Sequence, residues 1–104
     1  VDHADDAEAR ALARLDELRA ARAATVAAVA DGATTPARLL RSPDPVTAGL
    51  RVLTLLEAAP GASKVGSRRL LDEVGIDELA TVEEAGPDPV ARLADALDAS
   101  AAAS

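Results

Sequence analysis

A chain of 104 residues with 27 Ala, 14 Leu, 9 Val and one Ile, but no Phe, Tyr, Trp, Met, Cys, Asn or Gln, fits one small domain with a thin aliphatic core of 24 Leu, Val and Ile. Lack of Cys excludes a disulfide frame, a Cys-based metal site and a thiol nucleophile, and a single His, at position 3 in a terminus expected to fray, argues against a His-centred catalytic or metal site. Lack of aromatics removes the stacking platform of single-strand binders, and a net charge of −7 ordinarily argues against any nucleic-acid partner.

The Ala-rich, β-branch-poor sequence with repeated cap signals predicts an all-α chain. The first helix is expected from about Asp6 to Ala30, with Ala11, Leu15, Leu18, Val26 and Val29 as its apolar stripe and Gly32 as a stop signal. Pairs such as Asp6 with Arg10, Arg14 with Glu17 and Asp16 with Arg19 neutralise charge on its solvated side. Arg22 falls on the stripe, which implies either a snorkelling side chain or a helix that outruns its core.

Thr35-Pro36 predicts an N-cap and first-turn proline for a short helix ending near Arg41, and Asp44-Pro45 repeats the device. The helix it opens is expected to run unbroken to about Ala59. Its Val46, Leu50, Val52, Leu53, Leu55 and Leu56 cover most of the circumference at 100° per residue, so it should be the central, most buried helix. Thr47, Arg51, Thr54 and Ala58 form its remaining polar or small strip. Pro60-Gly61 ends it, Gly61, Ala62 and Ser63 form a tight turn, and Ser63 caps a helix from Lys64 to Val74 that Gly75 stops. Asp77 is expected to cap a helical turn through Val82, and Asp88-Pro89 to open a last helix carrying Val90, Leu93 and Leu97. The division expected is a long N-terminal helix over 1–35, a compact domain over 36–98 and a disordered, low-complexity tail over 99–104.

Residues 1–6 are polar, so no signal peptide is expected there, and no run reaches the roughly 18 apolar residues of a membrane span. These features predict a soluble, cytoplasmic protein. Few residues have A/T-rich codons, and Val1 stands where Met would be; both suit a GC-rich bacterial genome with a GTG start.

Charge is unevenly distributed: residues 1–35 sum to −3, residues 36–70 to +4 and residues 71–104 to −8. A basic middle between acidic flanks can favour an anion locally while the molecule repels a polyanion at long range. Within that middle, the turn at Gly61 leads into a helix whose first N–H groups lack intrahelical partners and carry the positive end of the macrodipole, a ready phosphate site. Lys64 sits beside these groups with Arg68 one turn on, Gly61 lets the backbone approach a ligand, and Gly66 removes a side chain near the contact. The plainer reading is a helix stopped by Pro-Gly, followed by one with ordinary exposed basic residues.

Leu50 to Glu57, Pro60-Gly61, Lys64-Val65 and the stretch from Leu71 to Ile76 ending Glu-Val-Gly-Ile resemble the actinobacterial type of integration host factor. The order of elements and the length match too, although the specific part spans only about residues 45–76. The resemblance implies a helix-two-turn-helix domain of about five short helices after the long helix, and duplex-DNA binding with little sequence preference in the nucleoid. The contact surface expected from the residues and the resemblance together is Arg51, the backbone of Gly61, Ala62 and Ser63, Lys64, Gly66, Arg68 and Arg69, with Arg68 and Arg69 compensating from positions near the family's own. The family pattern at the turn is Leu-Pro-Gly-Val-Gly-Lys-Val, so Ser63 replaces a glycine, and Gly66 stands where an Arg is expected. An Arg-Arg-Val-Arg cluster of the family falls on Ala80, Thr81, Val82 and Glu83, with Glu84 adding a further acid, which marks this chain as a divergent acidic member.

The expected partner is therefore double-stranded DNA, bound weakly and salt-sensitively, without base readout since Asn and Gln are absent. The alternative is an acidic helical adaptor that keeps the fold, has lost DNA binding, and meets a protein through Glu73, Asp77, Glu78, Glu83 and Glu84. No nucleophile–base pair or metal-ligand spacing is present, so no enzyme activity, cofactor, metal or small-molecule substrate is expected, and no membrane partner.

Overall fold

The computed structural model describes residues 3–103 and is all-α: α1 (His3–Ala30), α2 (Pro36–Arg41), α3 (Pro45–Ala48), α4 (Val52–Ala58), α5 (Lys64–Val74), α6 (Val82–Ala85) and α7 (Pro87–Ala103). Val1, Asp2 and Ser104 lie outside the described residues. Among the described residues no helix is long and apolar enough to cross a membrane.

Caps define most boundaries. Thr35 Oγ1 accepts the Arg38 N–H at 3.2 Å and Asp44 Oδ1 accepts the Thr47 N–H at 2.7 Å, each with proline in the first turn, as the sequence predicts. Ser63 Oγ accepts the Gly66 N–H at 2.9 Å to open α5, and Gly75, at φ 76°, closes it in the left-handed conformation that glycine adopts without strain. The buried centre contains Leu55 and Val52 from α4, Leu71 from α5, Leu93 from α7 and Val29 from α1, all at 0% exposure. α4 packs on both α1 and α5, while α2 and α7 form a second packed pair. Arg41 of α2 ties that pair by ion pairs to Asp95 and Asp98 of α7.

The expected unbroken central helix is two helices, α3 and α4, separated by Gly49, Leu50 and Arg51. The reason is a competing set of backbone partners. Leu50 O accepts the Val82 N–H at 2.9 Å, and the Val52 N–H donates to Ala80 O at 3.1 Å, so Arg51 and Thr81 face each other across an antiparallel bridge. Arg22 fills the space over Gly49: a Cβ there would lie 2.7 Å from its Nη2. The residue that broke the α1 stripe thus packs at the break in the central helix. Thr47, expected on the polar strip, is instead buried at 0% exposure.

Three other local expectations change. Asp77 caps no helix; its Oδ1 accepts the Leu79 N–H in a tight turn, and Thr81 opens α6 through a capping box with Glu84. The last helix begins at Pro87, which places Asp88 inside its first turn, and it continues as helix to Ala103 past the expected start of a disordered tail. α1 begins at His3, and among the described residues its stripe is open over Leu12, 58% exposed, and Leu15, 47% exposed, with burial complete only at Val29. The molecule accordingly measures 62 × 26 × 23 Å.

Candidate nucleic-acid interface

The tight turn and the start of α5 are exposed from Pro60 to Val65. Gly61 takes φ 79°, which permits the reversal between α4 and α5. The Ala62 N–H is used within the turn by Ala59 O, at 3.0 Å, and the Ser67 N–H by Ser63 O, also at 3.0 Å. With Gly66 N–H taken by the Ser63 cap, the N–H groups of Lys64 and Val65 are those left without an intrahelical acceptor at the positive end of an 11-residue helix. A Cβ at position 66 would lie 2.8 Å from Ser63 Oγ, so the Ser63 cap and Gly66 suit each other.

The four basic side chains of the expected surface do not form one continuous patch around this start. Arg51 and Arg68 line a shallow hollow between α4, α5 and the turn after Gly75, together with Glu57 and Glu78. Its formal charge is therefore zero. Arg68 Nε lies 3.5 Å from Glu78 Oε1 in a half-exposed ion pair. Arg69 lines a different hollow, shared with Gly61, Ala62, Ser63 and Gly66 on one side and Glu73 and Asp98 on the other. Lys64 is exposed at the tip, outside both hollows.

Arg51 is the N-cap residue of α4, in extended conformation, and not a residue within the helix as its spacing suggested. Its bridge to Thr81 brings it beside the acidic start of α6, with Glu83 and Glu84. Glu84, on that segment, accepts the Thr81 N–H at 2.9 Å; this hydrogen bond, the Thr81 hydroxyl and then the charge of Arg51 hold its carboxyl below the usual range. Sequence reasoning missed Glu57 and Glu78 as neighbours of Arg51 and Arg68. The Arg68–Glu78 pair spans the Gly75 turn, and no helical period signals it. Among the described residues no three His, Cys, Asp or Glu side chains are grouped to hold a metal ion.

Known protein families give no match to the chain, and the curated proteins give none. Its fold is similar to the solved structure of sIHF bound to an 8-bp palindromic DNA, with a TM-score of 0.69 and 22% sequence identity over 80% of this chain and 96% of that one. At that identity the likeness is one of fold.

Proposed function

We propose that this protein binds the phosphate backbone of duplex DNA with little sequence preference, as a divergent acidic, nucleoid-associated member of the actinobacterial integration host factor type. The observation that carries the reading is the exposed turn into α5, with the Lys64 and Val65 N–H groups unclaimed within the helix and Lys64 beside them, in a fold shared with sIHF bound to DNA. Arg51, Gly61, Ala62, Ser63, Lys64, Gly66, Arg68 and Arg69 form the contact surface. They hold one backbone segment, and the grip bends or compacts DNA without reading base edges. Binding is weak because Glu57 and Glu78 offset Arg51 and Arg68 within their own hollow.

A mobility-shift titration at low salt tests this by comparing the natural chain with Lys64→Glu plus Arg68→Glu. Loss of binding in the variant supports the surface; equal binding by both, or none by either, overturns it. The competing reading is the acidic protein adaptor, which the net −8 of residues 71–104 favours. Two acids of its face are already engaged within the molecule, Glu78 by Arg68 and Glu84 by Thr81. A complex recovered from lysate distinguishes the two: nucleic acid in it supports DNA binding, and a protein that survives nuclease treatment supports the adaptor.

A further inference from the structure

The exposed half of α1 is unexplained by DNA binding through α5. At 100° per residue, Ala11, Leu12, Leu15, Leu18 and Arg19 lie within about 60° of one line along the helix, and Glu8 extends that line toward the N-terminus. The same line runs on through Arg22, Val26 and Val29, where α3 and α4 cover it. Among the described residues of the 8–19 stretch the line is largely uncovered: Leu12 and Leu15 are 58% and 47% exposed, Glu8 and Arg19 are exposed, and Leu18 alone is half-buried. An isolated surface leucine is ordinary, but two adjoining ones on a projecting helix, continuous with the core-facing stripe, form a seam that a second helix fits.

The charges on the seam identify that helix. The acid lies at the N-terminal end and the base at the C-terminal end, each beyond the leucines. Two copies laid antiparallel, with Leu12 of one against Leu15 of the other, bring Glu8 of each copy opposite Arg19 of its partner, so both ends are complementary at once. A parallel pair would set Glu8 against Glu8 and Arg19 against Arg19. Arg19 has only a long contact within its own chain, 3.7 Å to Asp16 with both side chains about three-quarters exposed. The pairing also stops short of the covered part of α1, so the two bodies project from opposite ends without competing for the seam.

We propose that this chain self-associates as an antiparallel dimer through residues 8–19 of α1. The proposal does not depend on the DNA-binding reading. A pair of helices in contact over about 18 Å makes an interface below the usual size for a stable complex, so the dimer is weak, with a dissociation constant on the order of 10–100 μM.

Sedimentation equilibrium from about ten times below to ten times above that range should show the mass moving from one chain toward two. Leu15→Glu should remain a single chain throughout, with an unchanged far-ultraviolet spectrum because the side chain lies outside the core. Glu8→Arg and Arg19→Glu should each weaken association about threefold to tenfold, and the two together should restore it. A single-chain mass at every concentration overturns the proposal, as does a dimer that tolerates Leu15→Glu. Failure of the double charge reversal to restore association overturns the antiparallel register.

Discussion

Replacing Glu78 by Gln removes the negative partner of Arg68 while keeping the side chain's size. The ion pair is 3.5 Å long between side chains that are about half exposed, so its loss changes folding stability by less than about 1 kcal/mol. Its effect on a bound phosphate is larger in proportion. A unit charge in water at 3.5–7 Å from an anion contributes about 1.2–0.6 kcal/mol of repulsion. Removing it should therefore raise DNA affinity about threefold to sevenfold at low salt. Freed from Glu78, Arg68 engages the phosphate more fully, which steepens the log–log salt dependence by at most about 0.9. Fluorescence anisotropy with a labelled 20-bp duplex at three salt concentrations measures both quantities. Asp88→Asn, which alters net charge equally in the first turn of α7, is the control and should change affinity by less than about twofold. Unchanged affinity and slope in Glu78→Gln, or an equal gain in the control, would refute the idea that local acids restrain this surface.

Leu71→Ala should cost about 2–5 kcal/mol, since Leu71 has 0% exposure and the aliphatic core has little other volume to fill the gap; urea unfolding measures it. Ser63→Ala should lower stability by about 0.5–2 kcal/mol through loss of the Gly66 N–H acceptor, while Ser63→Gly should cost only a few tenths, as followed by thermal unfolding. Asp44 is held below the ordinary carboxyl range chiefly by the Thr47 backbone N–H, and Glu84 chiefly by the Thr81 backbone N–H. Because their folded-state values are depressed, both contribute stability that is present above the unfolded carboxyl value and lost as pH falls through the folded one. Denaturant midpoints should therefore decline below about pH 4, and Asp44→Asn with Glu84→Gln should flatten that decline.

The features legible in the sequence are those set by local chemistry. Thr35-Pro36, Asp44-Pro45 and Ser63 cap helices where their side chains alone predict, and Gly75 ends α5 because it takes a left-handed conformation. What was hidden depends on partners far apart in the chain. The central helix breaks because residues 50–52 pair with 80–82, an option that the apolar spacing of Val46 to Leu56 does not reveal. The same pairing moves Arg51 from a helix face to a helix entrance and sets it beside Thr81 and Glu84. Along α1, spacing identified the stripe but not its coverage, since an apolar line looks alike whether its own domain or another chain lies against it. For the candidate interface, sequence located the turn and its basic residues, while the acids that share their hollow came from Glu57 one element back and Glu78 one element on.

Position decides how far the acidity opposes DNA, because the acids act at two ranges. At about 0.1 M salt a charge more than about 10 Å from a phosphate is largely screened. In a molecule 62 Å long, remote acids therefore contribute to the −7 and slow the approach of DNA at low salt, but they have little influence on a phosphate already seated at α5. Glu57 and Glu78 sit within the Arg51–Arg68 hollow and, on the proposed surface, would act on a seated phosphate itself. The two groups leave different kinetic signatures. Neutralising remote acids raises the association rate in a manner that salt abolishes, whereas neutralising the hollow acids slows dissociation and persists at moderate salt. Added salt also weakens binding through counterion release while relieving the long-range repulsion, so the natural chain should show a shallower salt dependence than its number of phosphate contacts alone would give. A strongly acidic protein can in this way retain a backbone grip on DNA, provided that the acids nearest the grip are few.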